Sequence, residues 1–259
     1  MKNIFIISFC LICGFYFSQA QSGKLIVAYS FYESYKNNIT LNSVLKINQS
    51  QSIFVIDDNM ITEKTETGFD KDDNQVIKSY RKSKENRFVY KDYHRATMLT
   101  LQSGYNPNSF YYIDELFPNF NWKVENETKE ILGYNCQKAT APFKGRNYTA
   151  WFAPKIAISD GPWKFEGLPG LILEITDDSG KIKIEANKII LNADNPSTSF
   201  NINKKYPKLT WQEYIQNVDK EFSNQVKAFK SKASEEGVEV ELDLKFENME
   251  YVSKKNENN

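Results

Sequence analysis

The sequence predicts an α+β protein, mainly antiparallel β, with one helix packed on the sheet from near the C-terminus. Three observations carry that expectation. Period-two alternation of apolar residues recurs in short runs from Lys24 to Ala186, separated by polar turns. Fifteen Tyr and eighteen Phe against eleven Gly favour strands over disorder. Only after Pro207 do apolar residues recur at three- and four-residue spacing.

Residues 1–20 have the pattern of a secretory signal peptide, with Lys2 before an apolar run from Ile4 to Phe17 and Ser18-Gln19-Ala20 as the cleavage site. A membrane anchor needs a run of about 20 apolar residues, longer than this one. A lipidated Cys13 would need a small residue where Ile12 stands. The expected product is exported to the periplasm, the outer membrane or the medium, as a single domain over 21–252 with a frayed tail at 253–259. Loss of Cys10 and Cys13 with the leader leaves Cys136 alone, so no internal disulfide can form. The chain carries 33 basic and 33 acidic residues, and removal of Lys2 leaves −1. That balance gives no reason to expect nucleic acid as a partner.

Strands are expected over Leu25–Tyr32, Ile39–Ile47 and Ser52–Ile56, each alternating or β-branched. Residues 57–75, charged and Thr-rich, are expected as an exposed loop. Asp70, Asp72 and Asn74 imitate a calcium loop, but Gln75 stands at its turn glycine and Arg81 at its bidentate glutamate. From Val76 to Thr100, seven basic residues (Lys78 to Arg95) interleave with Phe88 and Tyr90. Such a run could grip an anion, but the neutral total charge favours the solvated outer face of a hairpin. Tyr111–Ile113 continues the strands. In Ile131–Ala139, Leu132, Tyr134 and Cys136 fall on one face. Phe143-Lys144-Gly145-Arg146 is a turn, and Tyr148, Ala150 and Phe152 alternate after it.

Gly161 to Ile175 is the stretch around which the chain is organised. Three glycines and two prolines punctuate it, with Trp163, Phe165, Leu168 and Leu171 between them, where an exposed loop would carry small polar residues. Backbone of this kind approaches something closely, either the core or a ligand. Asp177-Asp178-Ser179-Gly180 then turns the chain into a one-sided strand through Ile182, Ile184 and Ala186. Thr210 and Glu213 form a capping box for a helix over 210–235, whose stripe runs Trp211, Tyr214, Ile215, Val218, Phe222, Val226 and Phe229. Val238 to Phe246 is expected as a last strand.

The chemistry is narrowed by what is scarce. His94 is the only histidine, so no metal or cofactor site is expected. Cys136 lies among apolar neighbours, which make a thiol inert. The Gly-rich loop lacks the Gly-Lys-Ser/Thr ending of a phosphate cradle. Carboxylates are plentiful, but nothing singles out one pair, and Glu166 and Glu174 fit an exposed turn and a strand.

Gly167-Leu168-Pro169-Gly170-Leu171-Ile172 reproduces the signature of the GLPGLI family, which this chain resembles further at Gly133, Tyr134, Cys136, Gly145, Arg146, Trp151, Gly161 and Pro162. The family's Asn-Pro-Ile-Glu-like ending is replaced by Asn248-Met249-Glu250-Tyr251-Val252. The resemblance implies a secreted Gram-negative protein without an established activity. A weaker analogy, to curved-sheet carriers of lipoproteins, implies one strongly curved, half-barrel-like sheet around an apolar groove. On that analogy Trp163, Phe165, Leu168, Pro169, Gly170 and Leu171 would line or gate the groove; alternatively they plug it. The leading expectation is a non-catalytic envelope protein that binds a lipid-like ligand or an outer-membrane partner. The alternatives are a carboxylate-dependent hydrolase of peptide or glycan and an accessory factor of an outer-membrane complex.

Overall fold

The computed structural model describes residues 24–34, 38–60, 64–69, 75–80, 83–106, 108–235, 247–248 and 250–252. The leader, the acidic turn at 70–74, the strand expected over 238–246 and the tail at 253–259 lie outside the described residues.

The elements in chain order are β1 (Leu25–Glu33), β2 (Ile39–Ile47), β3 (Gln51–Ile56), β4 (Lys64–Phe69), β5 (Gln75–Tyr80), β6 (Phe88–Asp92), β7 (Thr97–Ser103) and β8 (Phe110–Leu116). They continue as β9 (Lys123–Ile131), β10 (Tyr134–Phe143), β11 (Arg146–Ala153), β12 (Leu171–Asp177), β13 (Ile182–Leu191), β14 (Lys208–Leu209), α1 (Trp211–Glu235), β15 (Glu247–Asn248) and β16 (Tyr251–Val252). Twelve strands form one sheet in the order β14-β8-β7-β6-β3-β2-β1-β13-β12-β11-β10-β9. Every pairing in it is antiparallel except that of β14 with β8. The α+β expectation therefore holds.

Sequence alternation sets which face each strand buries. In β1 every second residue from Leu25 to Glu33 is buried, and cross-strand partners put Tyr29 beside Ser43 and Ala186, and Phe31 beside Leu41 and Ile184. The same face continues through Phe54, Val89 and Ile113. This face is concave. Strands β8 and β11 are second and tenth in the order, so a flat sheet would hold them about 38 Å apart at about 4.8 Å per strand. Yet Glu115 of β8 meets Lys144 of the β10–β11 turn at 2.8 Å. The sheet curls until its two sides touch through side chains.

Two segments occupy the concavity. The 154–170 loop covers β1, β6 and the β10–β12 side, and α1 covers β8. The helix starts as its sequence dictates: the Glu213 N–H donates to Thr210 Oγ1, and the Thr210 N–H donates to Glu213 Oε2 at 2.7 Å. Tyr214 and Val218 bury against Ile113, and Phe222 meets Tyr105. Phe229, on the same stripe, is exposed. The convex face carries a smaller cluster of Ile53, Phe88, Leu101, Phe110 and Tyr112, roofed by Phe200 and Tyr206 from the stretch before β14.

Three expectations are corrected. Residues 64–69 pair with β5 as a separate two-stranded ladder; polar residues on both faces gave that strand no core signal. Leu132 does not share a face with Cys136. With Gly133 it forms a two-residue turn at φ 51° and 80°, and its side chain is exposed. Two residues of the basic run, Arg87 and Lys91, point inward and are buried. Arg87 is satisfied by Glu33 at 2.8 Å and Asp58 at 2.7 Å, partners with no local signature.

Candidate functional site

The 154–170 loop is held by hydrogen bonds from the strands around it. Lys91 of β6 donates to the Asp160 carboxylate, to the Gly161 carbonyl at 3.1 Å and to the Phe165 carbonyl at 3.0 Å. Asp160 also accepts from the Tyr93 hydroxyl and from the Gly161 N–H at 2.7 Å. A buried ammonium needs such partners. Burial, then the nearby Asp160 charge, raises the Tyr93 and Tyr29 hydroxyls well above their ordinary range. Tyr29 donates to the Ile172 carbonyl at 2.8 Å. Around Phe165 stand Tyr148, Phe120 and Phe143 with ring centroids 4.7, 5.4 and 5.9 Å away. The glycines explain themselves by contact: a Cβ on Gly161 would lie 2.7 Å from Ile172 Cβ, and one on Gly170 would lie 2.4 Å from the Ala153 carbonyl oxygen.

Held in this way, the loop places Trp163 and Lys164 at the β8 end of the concavity. Trp163 adopts φ 54°, a left-handed conformation uncommon for a bulky residue. Its indole N–H donates to Glu250 Oε1 at 2.7 Å. Glu250 Oε2 accepts from Lys144 at 2.7 Å and from Lys164 at 2.8 Å. Both lysines also donate to Glu115, Lys144 at 2.8 Å. Trp211, first residue of α1, covers the pair: Lys144 Nζ lies 3.3 Å and Lys164 Nζ 5.3 Å from its ring centroid. Five separate parts of the chain meet here.

The cluster grades from dry to wet. The side chains of Glu250 and Lys164 are 1% and 2% exposed, those of Lys144 and Glu115 17% and 19%. Burial opposes the Glu250 charge, but the two ammonium groups outweigh it and hold that carboxyl well below the usual range. Burial also opposes the Lys164 charge, and Glu250 and Glu115 overcome it, leaving Lys164 raised. For Lys144, burial and repulsion from Lys164 prevail, so its ammonium is held less firmly than an ordinary lysine's. Two cations and two carboxylates are thus paired with one another in one cluster.

The residues singled out by sequence are distributed as follows. Trp163, Phe165, Leu168 and Leu171 are fully buried, filling the concavity themselves, while Pro169 is exposed and Gly170 packs on Ala153. Pro162 is buried and accepts the Phe165 N–H at 3.2 Å. Gly145, Gly133 and Gly167 take φ of 81°, 80° and 88°, as their turns require. Tyr134 is half-buried. Cys136 is buried, and burial pushes its thiol up to about 11. Arg146 reaches Asp177 at 3.4 Å. Trp151 lies on the convex side, with Lys129 4.5 Å above its ring and Glu174 2.7 Å from that lysine. Of these, only Trp163 contributes to the ion-pair cluster. Sequence reasoning missed Lys144, Lys164, Glu115 and Glu250. Lys164 alone had a signal, as one charge between Trp163 and Phe165 that could be buried only with a partner.

By fold the protein is a curved antiparallel sheet whose hollow is occupied by its own loop and helix. A family model described as a protein of unknown function (Porph_ging), the GLPGLI-type family, matches residues 143–174, the stretch from the Lys144 turn through the central loop. The solved structure of PNGF-II in a C2 crystal form is similar at 14% identity and TM-score 0.50, over 76% of this chain and 32% of that one. A second crystal form of PNGF-II gives 15% identity and TM-score 0.48, over 76% and 33%. An uncharacterized conserved protein from Thermus thermophilus gives 8% and 0.40, over 74% and 93%. The first likeness concerns the fold alone, and this chain spans 32% of that protein's length. No curated protein matches the chain.

Proposed function

We propose that this is an exported, non-catalytic envelope protein that recognises a partner protein through the polar rim of its concavity. One observation carries the reading. Trp163, Phe165, Leu168 and Leu171 fill the face that a carrier of apolar molecules would leave open, while Lys144, Glu115 and Trp211 are only partly covered. Recognition by this scaffold is then electrostatic and aromatic, with a strong dependence on ionic strength at the exposed rim.

Native mass spectrometry of the protein purified from its own envelope fraction, with solvent extraction, tests this. The expected result is the bare polypeptide mass without a stoichiometric lipid or acyl adduct. A stoichiometric apolar adduct would overturn it and return the loop to a gating role.

A second reading, a carboxylate-dependent hydrolase of peptide or glycan, draws support from Asp160 and Glu166. These residues form a β-bridge across the loop. Burial raises the Glu166 carboxyl, with Asp160 adding to it and Lys91 opposing. A raised carboxyl of this kind suits a general acid. Loss of a measured peptidase or glycosidase activity in Glu166→Gln would favour it.

A further inference from the structure

Glu250 reaches the two lysines from a chain end that is not laddered to the body. Among the described residues, β15 and β16 pair only with each other, Glu247 with Val252 and Asn248 with Tyr251, as a sheet separate from the twelve-stranded one. The turn between them delivers a glutamate side chain into a dry, three-donor cradle of the Trp163 indole, Lys144 and Lys164.

The donors are positioned without it. Trp163 and Lys164 belong to a loop fixed by Lys91 and Asp160. Lys144 sits in a two-residue turn at φ 45°, followed by Gly145 at 81°, and is tied to Glu115. Without Glu250, the two ammonium groups would face only Glu115 among the described carboxylates, one positive charge in surplus, with an indole N–H aimed at the same point. Preorganised donors around a missing anion are a binding site. Trp163 is in a sparsely populated backbone conformation, and such strain collects where recognition needs a particular direction.

We propose that this cradle is a recognition site for a glutamate side chain on a peptide segment, and that Glu250 is the occupant the chain supplies for itself. The ligand class is an acidic protein segment that presents glutamate from a turn, as residues 247–252 do. The inference rests on the binding-protein reading above and assigns its partner chemistry. A partner's glutamate takes the place of Glu250 and meets the same indole and two ammonium donors, so the exchange conserves the charge in the cradle. The partly covered Trp211 and Lys144 form the side from which the partner enters.

The test uses the full mature chain as wild type, Glu250→Ala and Glu250→Gln. The probe is a capped hexapeptide of sequence Glu-Asn-Met-Glu-Tyr-Val, with a second version bearing Gln for its inner Glu. Tryptophan fluorescence and calorimetry follow binding, and thermal melts confirm cooperative folding. Glu250→Ala should bind the peptide at least about tenfold more tightly than wild type, whose own glutamate leaves the site vacant only part of the time. The Gln peptide should bind at least about tenfold more weakly than the Glu peptide, for want of charge. A folded Glu250→Ala chain that ignores the peptide overturns the proposal, as does wild type binding equally well. If both variants fail to melt cooperatively, Glu250 is a structural member of the core and the proposal is again overturned. None of these failures touches the wider binding-protein reading, which the native mass of the unaltered protein decides separately.

Discussion

Gly170→Ala is the substitution whose cost the geometry states most directly. The new Cβ would lie 2.4 Å from the Ala153 oxygen, 2.7 Å from the Ala153 carbonyl carbon and 2.9 Å from Pro154 Cα. Carbon atoms rest at about 3.5–4.0 Å, so relief needs a shift of about 1 Å. All three neighbours are backbone, fixed by the end of β11 and by the Leu171 N–H, which donates to the Ile156 carbonyl at 3.0 Å. Rotamer changes cannot relieve the clash. Overpacking of this kind costs about 1–3 kcal/mol, and with only backbone to move the upper end applies, about 3 kcal/mol. For a domain of this size that lowers Tm by roughly 6–12 °C. Gly145→Ala is the matched control: its Cβ meets nothing within 4 Å, but φ is 81°. It should cost only the left-handed penalty, about 1–2 kcal/mol. Urea unfolding followed by tryptophan fluorescence measures both. A Gly170→Ala cost below about 0.5 kcal/mol, or no greater than that of Gly145→Ala, would refute the close-approach account of the signature glycine.

Two further expectations concern the loop. Lys91→Met should destabilise the fold by about 3–5 kcal/mol, because Asp160 is left buried without its cation, and adding Asp160→Asn should recover part of that loss; additive costs in the double-mutant cycle would count against the pin. Glu166 is the opposite case. Its folded-state carboxyl is raised by burial, so the stabilising contribution belongs to low pH and is lost as pH rises through the folded value. Glu166→Gln should therefore raise Tm at pH 7.5, with the gain shrinking toward pH 4; a gain that persists unchanged at pH 4 would show that charge is not its cause.

Much of this architecture was legible because alternation is a local signal. Val27, Tyr29 and Phe31 announce a strand and its buried face within a few residues, and Thr210 with Glu213 announces the helix start. The charged interior was not legible. Lys91 and Arg87 look like ordinary basic residues until the carboxylates that bury them arrive from 69 and 54 positions away. The candidate site was hidden for the same reason. Lys164 and Glu250 are 86 residues apart, and no local pattern announces their meeting. The hairpin at 64–69 failed differently, since a strand with no apolar face carries no period to detect. The central loop was recognised as a close approach, but whether it approached a ligand or the core depended on curvature that no single strand encodes.

That curvature has a consequence for how the chain reaches its native state. β1, the first strand among the described residues, is flanked in the sheet by β2 and by β13, which ends at Leu191. Its Tyr29 hydroxyl waits for Ile172, 143 residues later, and Lys91 waits for Asp160. The complete core therefore cannot close before β13 is present. Such long-range closure makes folding late and slow relative to synthesis, with apolar strands exposed in the interim. Until the loop arrives to close the hollow, the apolar face of β1 to β8 has no cover from its own chain.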